Sequence, residues 1–268
     1  MKKFELTAEF VTNVFGKKLF RIKALVAFGD VSAGELGGFV EKEENLSNNG
    51  NAWVSGNAWV SGDAQVSGNA WVSGNAWVSG DARVSGNAQV SGDAQVSGDA
   101  QVYGDAQVYG DAQVYGNAWV SGNAWVYGDA QVYGDAQVSG DAQVSGDAPV
   151  YGDAQVYGDA QVYGNAWVSG NAWVSGDALV SGDARVYGDA DYAVVTGFGH
   201  CFRATTFFRC KDKILRVQCG CFYGDLAKFR EIVKKTHGDS KYAKEYLAIA
   251  DLMELHFSDE EEKQEADE

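Results

Sequence analysis

A glycine recurs every six residues from Gly50 to Gly188, and between the glycines one phrase repeats: Gly-Asn/Asp-Ala-x-Val-Ser/Tyr. Twenty-three complete copies follow one another without an insertion or a deletion. A fixed hexapeptide period of this kind, with one constant Val and one constant Ala, predicts a parallel β-helix. In Ala52-Trp53-Val54-Ser55, strand alternation places Ala52 and Val54 on one side and Trp53 and Ser55 on the other. Gly56-Asn57 then turns a corner, because glycine has no Cβ to penalise positive φ and Asn or Asp tolerate the left-handed region. Three such walls close a coil of eighteen residues, and the repeat makes between seven and eight coils over ~35–40 Å.

The expected interior is a column of Val with Ala beside it, each buried Val contributing about 1.5–3 kcal/mol. The outer columns vary. Stacking by eighteen puts Trp53 over Trp71 and Trp59 over Trp77, and forms a ladder of Gln95, Gln113 and Gln131. The position after Val is Ser early and often Tyr from Tyr103 onward, which makes Tyr115, Tyr133 and Tyr151 one column. Exposed aromatic ladders of this density mark either binding surfaces or recent duplication of blocks such as GNAWVSGNAWVSG. At one edge Asp93, Asp111, Asp129 and Asp147 stack. That column suits a turn-forming, solubilising role, a row of weak cation sites, or a surface that imitates the phosphates of nucleic acid.

The chain has 268 residues and a formal net charge of −16. Within the repeat fifteen Asp follow glycines, against Arg83 and Arg185 alone. This balance argues against direct nucleic-acid binding, which needs clustered Lys and Arg, and favours a protein partner with a basic surface. No apolar run is long enough to cross a membrane and no signal segment follows Met1, so a cytoplasmic chain is expected.

Outside the repeat, residues 1–49 read as an N-terminal cap. Phe20–Phe28 alternates as a strand, and Gly38-Phe39-Val40 and Asn45-Leu46-Ser47 look like degenerate hexads. Residues 191–258 predict a small α+β lobe: a hairpin of Thr205–Cys210 and Ile214–Cys219, then a helix N-capped by Asp225 and stopped near Gly238, then a second helix after Ser240. The acidic segment 259–268 predicts disorder. The four Cys all follow the repeat. Cys219-Gly-Cys221, with Cys210, Cys201 and His200, offers a zinc set, a C-x-C on one strand putting both sulfurs on the same face, but the spacing is not that of a CxxC pair; free thiols, with no metal and no cofactor, are expected instead.

The pattern [Val/Ile/Leu]-x-x-x-[Ala/Ser]-x over residues 50–190 resembles the left-handed β-helix hexapeptide family. The resemblance implies left-handed winding and, often, trimers. With the leader FRIKALVAFGDVSAGELGGFVEKEENLS and the tail from TTFFRCKDK to KYAKEYL, the chain resembles uncharacterised hexapeptide-repeat proteins of intestinal bacteria and their phages, which bring no established activity. Acyltransferases on the same scaffold use a His base on a coil beside a protruding loop. Here His200, His237 and His256 all lie outside an uninterrupted repeat, so no enzyme is expected. The resulting expectation is a mainly β, non-catalytic binding or scaffold protein, phage-like, whose acidic surface occupies a host protein. An acyltransferase-like enzyme and a self-assembling structural protein are the alternatives.

Overall fold

A computed structural model of the chain describes residues 2–265. From Trp53–Val54 to Arg185–Val186 a two-residue strand recurs every six residues. Each pairs in parallel with the strand eighteen residues on, as Trp53 with Trp71, Trp59 with Trp77 and Gln65 with Arg83. Three sheets result. The first wall has eight strands from Trp53 to Leu179, and the third has seven from Gln65 to Trp173. The second wall runs from Trp59 to Arg185 and is extended by three N-terminal strands into an eleven-stranded sheet. Every hexad Ala and Val from Ala52 to Val186 is buried. Identical small side chains at each level let coils of one width stack without gaps.

The corners differ from expectation in one respect. The left-handed residue is always the glycine, with φ between +61° and +74° from Gly50 to Gly182. Among the described residues only Phe202 and Lys213 take positive φ without being glycine, so the Asn or Asp that follows each corner is not left-handed. At Gly116 a Cβ would lie 3.1 Å from the backbone N and O of Gly134, so close stacking and positive φ both select glycine. The next residue instead donates its N–H to the adjacent coil, as Asp93 does to the Gly110 carbonyl at 2.9 Å.

Strands Phe4–Thr12 and Lys18–Ala24 form an antiparallel hairpin, and Leu36–Val40 pairs antiparallel with the second of them. The strand expected over Phe20–Phe28 therefore begins earlier and ends at Ala24, where the chain turns and Phe28 bridges Val31. The degenerate hexads pair in solenoid register, Val40 with Val60 and Leu46 with Val66. The cap also satisfies the carbonyls that the first coil turns outward. Ala58, Val60 and Val66 accept from the N–H of Phe39, Glu41 and Ser47, each at 2.9 Å. Two buried side chains complete the set: the Asn45 amide donates to Ala64 O and the Lys3 ammonium to Ala52 O, both at 2.8 Å. Burial pushes the Lys3 amine down to about 8.

At the far end Tyr192–Val195, Thr205–Arg209, Leu215–Cys219 and Phe222–Asp225 form an antiparallel sheet, followed by helices α1 (Leu226–His237) and α2 (Lys241–Glu265). Asp225 caps α1 by accepting the Lys228 N–H at 2.7 Å, and Gly238 ends it at φ +55°. Alternation along one strand serves two cores: Phe208 is buried with the last solenoid coils, while Phe207 packs with Phe229, Val233 and Tyr246 under the helices. The sheet is tied to the last coil by the Leu179 N–H to Thr206 Oγ1 at 3.0 Å and by Ser181 Oγ to Gln218 Oε1 at 3.2 Å. The acidic segment expected to be disordered from Asp259 instead continues α2 to Glu265, in keeping with a run of good helix formers free of Gly and Pro; residues 266–268 lie outside the described residues.

Candidate binding wall

The second wall presents three parallel columns. At its leading corner stand Asp93, Asp111, Asp129 and Asp147, all exposed. Next come Gln95, Gln113, Gln131 and Pro149, in register from coil to coil. Then follow Tyr115, Tyr133 and Tyr151, whose rings stack at 4.8 and 4.9 Å with planes 1° and 3° apart. Burial against neighbouring side chains pushes the Tyr115 and Tyr133 phenols above their ordinary range, Tyr133 also feeling the phenols on either side of it. Tyr115 and Tyr133 are therefore neutral at physiological pH.

Corner chemistry separates the Asp residues into two kinds. Where Asn stands one coil before Asp, its amide donates to the carboxylate: Asn87 to Asp105, Asn117 to Asp135 and Asn123 to Asp141, each at 2.8 Å. Asn75 reaches Asp93 in the same way at 2.9 Å. A carboxylate has no proton to give the next one. Among the described residues no side-chain hydrogen bond or ion pair reaches Asp111, Asp129 or Asp147, and they sit in the longest unbroken Asp run of any corner. They repeat at about the strand spacing of 4.8 Å, close enough to repel through water.

The tryptophans fall out differently from expectation. Trp53 is no surface residue: it is fully buried, with Phe28 edge-on to it at 5.5 Å, because the N-terminal cap folds over the first coil. Trp59 and Trp77 meet edge-to-face at 5.8 Å, half-buried. Trp71 and Trp77 turn their indole N–H groups to Ser55 at 3.0 Å and Ser61 at 3.4 Å. The more open indoles are Trp119, Trp125, Trp167 and Trp173, between 39 % and 50 % exposed, and the sequence reading did not single them out. For Trp119 and Trp125 the signal was their distance from either cap, whereas Trp173 stands beside the C-terminal sheet, its carbonyl accepting from the Tyr192 hydroxyl. Arg185 lies over Trp167 at 4.6 Å.

The lobe does not gather its thiols. Cys210 is buried, its thiol pushed up by that burial, and meets the Tyr223 hydroxyl at 3.7 Å. Cys219 accepts from Thr205 Oγ1 at 3.2 Å, while Cys221 is exposed beyond the Gly220 turn. The turn, with φ +58° at Gly220, ends the strand at Cys219 and takes the two sulfurs off a shared face. No group of three or more His, Cys, Asp or Glu placed to hold a metal occurs among the described residues. His200 lies 3.6 Å from Cys201 through Nδ1, and His237 packs beside Tyr246. No described helix is long and apolar enough to cross a membrane.

A family model described as the YdcK beta solenoid repeat matches the chain at residues 64–80, 76–92, 94–110, 112–128, 130–146, 142–158 and 160–176. Successive matches beginning at 76, 94, 112 and 130 step by one coil of the structure. The chain is a β-solenoid repeat protein. The solenoid's repeat description names an architecture and no activity. No curated protein matches the chain.

Proposed function

We propose that the solenoid is a non-catalytic binding protein whose second wall docks on a basic macromolecular surface, that of a protein which itself handles nucleic acid. The observation that carries this reading is the run Asp111, Asp129 and Asp147, exposed, evenly spaced and met by no side-chain hydrogen bond or ion pair among the described residues, beside a rigid Tyr stack. A partner bringing Lys or Arg relieves the repulsion within the column, and the Tyr and Gln columns supply contact area that needs no reorganisation. The chain would act as a phage-like factor in the cytoplasm, occupying the surface a host protein uses for phosphates.

Titration with an oligo-arginine peptide at low and moderate salt tests this. Asn is a native residue of the same column, at Asn57, Asn75 and Asn165, so the variant D93N/D111N/D129N/D147N keeps the fold. The expected result is salt-sensitive binding that weakens by about tenfold or more in the variant. Equal affinity for both proteins, or binding indifferent to salt, removes the proposal.

A further inference from the structure

We propose that the second wall also carries a small-molecule site: a straight channel along the rod axis, over Tyr115, Tyr133 and Tyr151, that binds an elongated planar aromatic cation. It shares a wall with the docking surface above and does not depend on it.

Adjacent strands of a sheet are ordinarily rotated by roughly 20–25°, which turns any ladder of side chains into a helical stair. Here successive phenol rings differ by 1° and 3°. The three parallel rings therefore form one ladder spanning about 10 Å, with no rung tilted against the next, along which a rigid flat molecule can lie. Each ring is held in place by its neighbours, so little side-chain freedom remains to be lost on binding.

The ends and flanks narrow the ligand class. Above Tyr115 the column continues as Ser97, small enough for a ligand to extend over it. Beyond Tyr151 the indole of Trp167 stands edge-on at 6.2 Å and 77°, closing that end with a second aromatic surface. The neighbouring column supplies the Gln113 and Gln131 amides and then the ring of Pro149. Across it lie Asp111, Asp129 and Asp147, unpaired by any side chain among the described residues, which favours a positive charge over a neutral or negative one. The other parallel Tyr pair, Tyr109 and Tyr127 on the first wall at 5.0 Å and 3°, is followed one coil later by Ser145. It is one rung shorter.

The test is a fluorescence titration of the full chain with the benzothiazole cation thioflavin T, whose emission rises when its two rings are held coplanar. Saturable binding of one dye per chain is expected. Tyr133→Ser removes the middle rung and substitutes the residue native to Ser97 and Ser169 of the same column. It should lower affinity by about tenfold with an unchanged circular-dichroism spectrum. Tyr109→Ser should leave affinity unchanged, and D111N/D129N/D147N should weaken it while flattening its salt dependence. Absence of saturable binding, wild-type affinity in Tyr133→Ser, or an equal loss in Tyr109→Ser overturns the site. Failure of the wild-type chain to bind oligo-arginine, with its dye response intact, counts against the docking reading and supports this one.

Discussion

Inside the rod every coil buries the same Ala and Val, whereas each end is closed by side chains used once: Lys3, Phe4 and Ile22 at one, Thr206 and Phe208 at the other. A defect in the middle is flanked by intact copies above and below. A defect at an end uncovers a coil whose backbone groups have no other partner. Repetition makes the solenoid self-templating, and the caps make it finite. The largest effect should therefore come from an end. Phe208→Ala is expected to cost about 3–5 kcal/mol in chemical denaturation, against about 1.5–3 kcal/mol for Val132→Ala in the middle. Equal losses would dissolve the distinction.

The corners sharpen it at a smaller scale. Gly116→Ala forces a Cβ to within 3.1 Å of Gly134 at φ +71°, while at Gly176, near the end, nothing lies within 4 Å at φ +61°. Both substitutions carry the left-handed penalty of about 1–2 kcal/mol, and only the interior one adds crowding. Gly116→Ala should melt at the lower temperature. The reverse order would show that stacking does not select the glycines.

The same division decides what the sequence could reveal. A period of six with Ala and Val inward dictates walls, register and core, since each hexad has one environment and the next copy is its neighbour. Pairing of Phe39-Val40 and Leu46 with the first coil follows from their place in that metre. The hairpin strand Phe4–Thr12 went unread, although Phe4, Leu6, Ala8 and Phe10 alternate with Glu5, Thr7 and Glu9; the tight turn that ends its partner at Ala24 had no such signal. Burial of Trp53 was hidden for a different reason: its environment is set by Phe28 and the cap, some twenty-five residues away and outside the repeat. The columns of the candidate wall were readable by counting eighteens. The division of Asp into bridged and unbridged kinds was not, because it depends on an Asn amide one coil earlier reaching across a corner whose geometry only the structure supplies.

That division gives a smaller prediction. Asp129→Asn places an amide donor one coil before Asp147, as Asn117 stands before Asp135, and removes one charge from the column. Stability should rise by about 0.5 kcal/mol, read from the denaturation midpoint. A loss would mean the column is not repulsive. A further effect, larger than that one, is the pH response of the N-terminal cap. Lys3 titrates near 8 in the folded chain and at its ordinary 10.5 when unfolded, so between those values the folded state holds fewer protons and stability climbs with pH. Relative to Lys3→Met, the wild type should gain from pH 8 to pH 10; a constant difference would show that the amine is not held in a dry site.

The most direct test of the account is where a basic partner touches the rod. Zero-length carbodiimide cross-linking of a lysine-rich peptide to the full chain, mapped by mass spectrometry, joins only carboxylates in contact with an amine. The account predicts cross-links concentrated at Asp111, Asp129 and Asp147. Cross-links spread evenly over all corner Asp residues, or confined to lobe carboxylates such as Asp239 and Glu254, would contradict it.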